Sequence, residues 1–222
     1  MTKGRKHTPT YYPIFLNLRG KKCIVVGGGH VALRKVRTLL SSGADVRVIS
    51  PTLHPGLARL LERKAIRVVQ RNYRAGDLKG AAIVIAATDQ REINHKVAGA
   101  AKRRGILANV VDDREPSDFI VPSFFRRGDL TLAVSTGGMS PALARKIRTR
   151  LEKEFRKEYA TLVSLISQVR SDLKKSGITV TPGAWQNAID LDSLISLVRS
   201  GHAQKAKALL LNRLKIHTPL QR

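Results

Sequence analysis

Three consecutive glycines, Gly27-Gly28-Gly29, constrain this chain more than any other feature. They follow a short apolar run, residues 22–26 (KCIVV). They precede residues 30–42, where Val31, Ala32, Val36, Leu39 and Leu40 line one face of an expected helix that Gly43 ends. A buried strand, a glycine turn and an amphipathic helix, in that order, open a dinucleotide-binding βαβ unit. Gly27-Gly28-Gly29-His30-Val31-Ala32 fits the pattern G-x-G-x-x-[G/A]. Gly27 permits the tight turn, Gly29 lets the backbone approach a pyrophosphate, and Ala32 lets the helix pack close to the strand. The start of the helix adds free N–H groups and a positive dipole end.

The pattern continues as an α/β fold should. Strands are expected at 45–50, 67–70, 82–87 and 106–111, and helices at 55–64 and 90–104, with RNYRAGDLKG as a polar loop. Strands that alternate with helices form a mainly parallel sheet covered on both faces. After Asp112 the pattern changes. Extended segments at 119–125 and 130–135, joined by residues 126–129, suggest a β-hairpin. Ser140 and Pro141 then cap and start a helix expected to reach about Tyr159. Further helices are expected at 161–174, 184–200 and 202–214. The reading is a Rossmann-type parallel-sheet domain (1–113), a small β-hairpin and helical segment (114–150) and a C-terminal helical domain (151–222).

Composition narrows the classes. The 222 residues are 42% hydrophobic and 26% charged, which suffices for a real core. Only 5% are aromatic, so aliphatic side chains must do most of the packing. No apolar run approaches the roughly 20 residues that cross a bilayer. The basic N-terminus, MTKGRKHTPT, has no apolar segment behind it, and a cytoplasmic protein is expected. Cys23 is the single cysteine and lies in an apolar run, where it reads as a small buried hydrophobe. The six histidines (His7, His30, His54, His95, His202 and His217) are scattered, so no metal site is expected. The net charge of +25 invites a nucleic-acid reading, but no helix-turn-helix, zinc-finger or aromatic RNA-binding pattern accompanies it. An anionic small molecule would be steered by the same field.

The expected acidic residue at the end of the second strand is missing, and that end reads Ile49-Ser50-Pro51-Thr52. A carboxylate there would select NAD. Without it NAD and NADP both stay open, with Arg47 or another cation able to serve an extra phosphate. Thr88 and Asp89 after the fourth strand, and Asn109 and Asp112 ending the fifth, also face the ligand crevice in this topology. A nucleotide-sensing module without catalysis would use the same glycine turn.

Several segments together resemble the precorrin-2 dehydrogenase family, which includes the N-terminal part of siroheme synthase. They are Tyr12-Pro13-Ile14-Phe15 with Leu18, VVGGGHVALRK, AATD, NVVDD and FIVPSFFRRGDLTLAVSTGGMSPALARKIR, spanning about residues 11–155. The resemblance implies an oxidoreductase that converts precorrin-2 to sirohydrochlorin with NAD in siroheme biosynthesis. It also implies a homodimer, with the segment after the fifth strand packed between subunits. Cofactor contacts carry over to Gly27, Gly28, Gly29, His30, Val31, Pro51 and Thr52. The family's aspartate falls on Asp112, as general base, with Asp113 the second choice. Ser135, Thr136, Gly137 and Gly138 would line the tetrapyrrole site. The substrate carries eight carboxylates, so Arg126, Arg127, Arg145, Lys146 and Arg148 are candidate partners, Arg145 foremost. Some relatives also insert ferrous iron, so a bifunctional dehydrogenase and ferrochelatase is the alternative.

Overall fold

A computed structural model describes residues 10–217. The reading of residues 1–9 as free of a targeting signal lies outside them, as does the position of His7. The chain separates into two compact units, Met1–Val121 and Pro122–Arg222.

The first unit is built on a five-stranded parallel sheet of order β3-β2-β1-β4-β5. The strands are β1 (Lys22–Val26), β2 (Asp45–Ile49), β3 (Arg67–Val69), β4 (Ile83–Ala86) and β5 (Leu107–Val110). The helices are α1 (His30–Leu40), α2 (Pro55–Glu62) and α3 (Arg91–Lys102). Side chains alternate along a strand, so β1 feeds two cores at once. Cys23 and Val25 join Ala32, Leu33, Val36 and Leu39 of α1 and Leu57 of α2. Ile24 and Val26 join Val84 of β4 and Val97, Ala100 and Ala101 of α3. This is why the run CIVV has no polar residue: both of its faces are covered. Burial raises the Cys23 thiol to about 11, so it stays protonated and packs as an apolar group.

Within the expected loop, Ala75–Leu78 forms a 3₁₀ turn. Asp77 organises it, accepting from the Arg74 backbone N–H at 2.8 Å and from both Arg71 terminal nitrogens at 2.6 and 3.0 Å. The unit runs eight residues past Asp113 because the segment after β5 is fastened to the sheet. Asp118 accepts from Ala108 N (2.9 Å), Ser117 Oγ from Val110 N (2.8 Å), and Asn109 Nδ2 donates to the Phe119 carbonyl (2.9 Å).

The second unit holds an antiparallel hairpin, β6 (Ser123–Arg127) and β7 (Leu130–Val134), and five helices among the described residues. The hairpin turn is two residues, Gly128-Asp129, tighter than the four expected. Gly128 takes φ 57°, the positive value that two-residue hairpin turns demand. Helix α4 (Pro141–Glu154) stops five residues earlier than expected, and α5 (Glu158–Lys175) begins after a break. Arg127 of the hairpin makes that break. Its Nε donates to the Phe155 carbonyl at 3.1 Å and its Nη2 to the Glu152 carbonyl at 3.3 Å, satisfying carbonyls at the end of α4. The helix expected over 184–200 is two, α6 (Pro182–Ala188) and α7 (Leu191–Arg199), because Asp190 caps α7 by accepting from Ser193 N at 3.2 Å. Helix α8 (Ala203–His217) closes a core of Leu162, Leu165, Val169, Leu194, Leu210 and Leu214.

Candidate functional site

The C-terminal ends of β1, β4 and β5 lie in register, Val26 beside Ala86 and Ala86 beside Val110. The turns that leave these strands therefore share one sheet edge. Strand spacing places β1 and β5 about 10 Å apart. Gly27 leaves β1 with φ 124°, and a Cβ there would stand 2.3 Å from the Ala87 carbonyl oxygen. At Gly28 a Cβ would stand 1.9 Å from the Thr52 carbonyl oxygen. Both glycines are required by protein packing alone. Gly29 differs, because a Cβ there meets nothing within 4 Å. Gly29 is also the N-cap of α1 and supplies no side-chain acceptor, and the first turn has no acidic residue. The first N–H groups of α1 thus open onto free space, and a pyrophosphate fits their unmet valence.

The loop after β2 lies on this turn. His54 N donates to the Gly28 carbonyl at 2.7 Å, and Pro51 and Thr52 are exposed beside it. His30, at the start of α1, packs its ring edge-on against His54 at 5.9 Å. Val31 is half-buried on the same turn. The Thr88 hydroxyl sits 2.7 Å from Asn94 Oδ1 and donates to it, so it holds the start of α3. Asn109 is buried, with Nδ2 committed to Phe119 and Oδ1 without a partner among the described residues.

The two adjacent aspartates after β5 are used oppositely. Asp113 is tied on every side: His95 Nε2 at 2.9 Å, Arg91 at 3.6 Å and the Glu115 backbone N–H at 3.3 Å. The His95 hydrogen bond, the Glu115 N–H and Arg91 hold its carboxyl below the usual carboxylate range against a smaller desolvation effect. Asp112 is exposed and makes no hydrogen bond or ion pair with a described residue. Its backbone is left-handed, φ 60°, which Asp tolerates better than most residues. The anchored Asp113 thus presents Asp112 at the apex of a turn.

Lys35 of α1 is half-buried and has no ion pair among the described residues. Desolvation lowers its pKa, Arg34 lowers it further, and the Asp112 carboxylate opposes both. In the sequence this lysine stands out only as part of the motif VVGGGHVALRK. Its signal was there: a cation one turn along the face that Ala32 and Val36 bury. His54 and the His95–Asp113 pair were also missed, because their partners are distant in sequence.

In the second unit, Ser135-Thr136-Gly137-Gly138 is a tight turn leading into α4. Gly137 and Gly138 take φ 60° and 76°. Ser135 Oγ accepts from Gly137 N (3.1 Å), Thr136 Oγ1 from Ser140 N (2.9 Å), and Ser140 Oγ caps α4 at Leu143 N (3.3 Å). Arg145 and Lys146 are exposed on α4 without ion pairs among the described residues. Arg127 and Arg148 are instead committed to Glu152, so they are poor candidates for a substrate carboxylate. No cluster of three or more His, Cys, Asp or Glu occurs among the described residues.

The chain matches a family described as NAD(P)-binding over residues 14–123, and a second described as the sirohaem biosynthesis protein central part over residues 127–154. The siroheme synthase of Chromobacterium violaceum is 40% identical over 200 residues, 89% of this chain and 42% of that protein. That of Methylobacillus flagellatus is 45% identical over 163 residues, 73% of this chain and 35% of that protein. The chain spans about two fifths of the length of the curated relatives it matches. A solved structure of SirC, precorrin-2 dehydrogenase, is alike in fold, with a TM-score of 0.68 over 93% of this chain and 100% of that one at 22% identity.

Proposed function

We propose that this chain is a member of the precorrin-2 dehydrogenase family, an NAD-dependent oxidoreductase converting precorrin-2 to sirohydrochlorin in siroheme biosynthesis, a reading supported by its matches to the NAD(P)-binding and sirohaem-biosynthesis models and to siroheme synthases. The observation that carries this reading is the pairing, at one sheet edge, of an uncapped helix start behind Gly29 with the exposed, unpaired Asp112. NAD, when bound, supplies the hydride acceptor. Gly27, Gly28, Gly29, His30 and Val31 hold its pyrophosphate end, with Pro51 and Thr52 alongside and Thr88 and Asn109 shaping the crevice.

The tetrapyrrole loses a hydride and a proton. Asp112 takes the proton as general base, a role worth about 10²–10⁴-fold in rate. Its lack of a partner among the described residues leaves both carboxylate oxygens open to substrate. The Asp112 carboxylate opposes the desolvation that lowers the pKa of Lys35. Ser135, Thr136, Gly137, Gly138 and Arg145 contact the substrate, with Arg145 pairing a carboxylate.

We place residues 114–150 at a homodimer interface. Helix α4 supports this: Ala144 is its single buried residue, while Leu143 and Ile147, one turn apart, are 51% and 38% exposed. Apolar surface of that kind is covered in assemblies. A cytoplasmic location fits a chain in which no described helix is long and apolar enough to cross a membrane.

The test is NADH absorbance after anaerobic mixing of purified protein, precorrin-2 and NAD, with Asp112→Asn alongside. NADH formation by the native chain, lost in a variant that still binds NAD, is the expected result. Silence of the native chain with both NAD and NADP sinks the enzyme reading and favours a nucleotide-sensing module.

A further inference from the structure

Lys35 stands three residues after Ala32 and four before Leu39, so it shares the stripe that α1 buries. Ala32, Val36 and Leu39 belong to a core against which Val111 and Phe119 also pack. Those two residues bracket the loop that carries Asp112, so this loop lies along α1. Helical side chains lean toward the start of their helix. That lean takes the Lys35 stem toward Gly29 and the sheet edge where Asp112 is exposed. The stem packs while the ammonium reaches outward. Lys35 makes no ion pair with a described residue, and Asp112 makes none either. Desolvation holds the ammonium below the usual lysine range, Arg34 adds to this, and Asp112 is the carboxylate whose charge opposes them. A half-buried cation without a contact partner costs stability. A lysine kept at that cost suits an anion that arrives with a ligand.

We propose that Lys35 pairs a carboxylate of the tetrapyrrole and so holds the substrate beside Asp112. This rests on the dehydrogenase reading above. Opposite charges that border one crevice and stay apart fit a molecule that carries carboxylates around its rim and a proton to lose. The carboxylate meets the cation, and the proton meets the base. The dinucleotide has its own place for charge, because its pyrophosphate meets the open N–H groups at the start of α1.

The experiment is steady-state kinetics of the intact chain with precorrin-2 and NAD under anaerobic conditions, at low and at raised salt. The native chain is compared with Lys35→Met, which keeps an apolar stem and drops the charge, and with Lys35→Arg, which keeps the charge. Lys35→Met should raise the KM for precorrin-2 about tenfold or more, with kcat within about threefold and NADH affinity kept. Lys35→Arg should recover part of that loss. Added salt should raise the native KM more steeply than that of Lys35→Met, which has one ion pair fewer to screen. The melting temperature of Lys35→Met should hold or rise, since a desolvated charge is gone. An unchanged KM in Lys35→Met, or a KM that answers salt alike in native chain and variant, overturns the inference while the dehydrogenase reading stands. A fall in NADH affinity in place of the KM change gives the ammonium to the nucleotide and overturns it as well. A native chain that forms no NADH overturns the dehydrogenase reading, and the inference with it.

Discussion

Helices α1 and α4 are incomplete in opposite ways. Helix α1 buries most of its apolar face, with Ala32, Leu33, Val36 and Leu39 all in the core, yet starts at a glycine that caps nothing. Helix α4 starts with Ser140 bonded to Leu143 N and Pro141 at its first turn, yet buries Ala144 alone. One helix has open donors and little open apolar surface. The other has its donors met and its apolar surface open. Open donors call for an anion and open apolar surface for a protein, so what each helix leaves unmet points to what it meets in use.

This contrast is open to attack in steps of falling size. Asp112→Asn, beside the open end of α1, should lower kcat by about 10²–10⁴-fold with NADH affinity kept. An equal fall in affinity would mean that the carboxylate holds the fold of the crevice and does not act on substrate. Leu33→Ala should cost about 2–5 kcal/mol in urea unfolding. Leu143→Ala should stay within about 0.5 kcal/mol under conditions where the chain is monomeric. A large loss at Leu143 there would mean that α4 is packed already. Leu143→Glu with Ile147→Glu should raise the dimer dissociation constant about tenfold or more in sedimentation equilibrium.

Gly29→Ala sharpens the comparison further. The added Cβ meets no protein atom, so melting should be unchanged while NADH affinity falls about tenfold, because only a ligand occupies that space. The smallest effect concerns Asp113. Its carboxyl is held below the usual range, so its ties add stability above the unfolded value near 4 and lose it as pH falls through the folded value. The gap in melting temperature between native chain and Asp113→Asn should therefore be widest near neutrality and close in strong acid.

Much of the first unit was legible because its central strands, β1 and β4, are covered on both faces and read as unbroken apolar runs, while β2 alternates. Helix α1 was legible from its period and from the glycines on either side. The misreadings share a cause. The end of α4 is set by Arg127, which lies 28 residues before the Phe155 carbonyl it satisfies, and no local pattern in EFRKEY announces it. The break before α7 was readable, since Asp190 followed by Ser193 is a capping pair. At the site, the glycine turn and Asp112 were legible as a spacing. The preference for Asp112 over Asp113 was legible too, but what ties Asp113 was not, because it depends on His95 and Arg91 arriving from α3.

The left-handed turn at Asp112 also has a bearing on how such a chain can change over generations. Glycine and asparagine occupy that backbone region as readily as aspartate, and few other residues do. Each is one nucleotide away from an aspartate codon. A lineage that no longer needs the chemistry can shed it there without any penalty to folding, and its descendants would keep the sheet, the glycine turn and the pinned neighbour intact. If Asp112 is the base proposed above, the identity of that single apex residue would separate working descendants from silent ones.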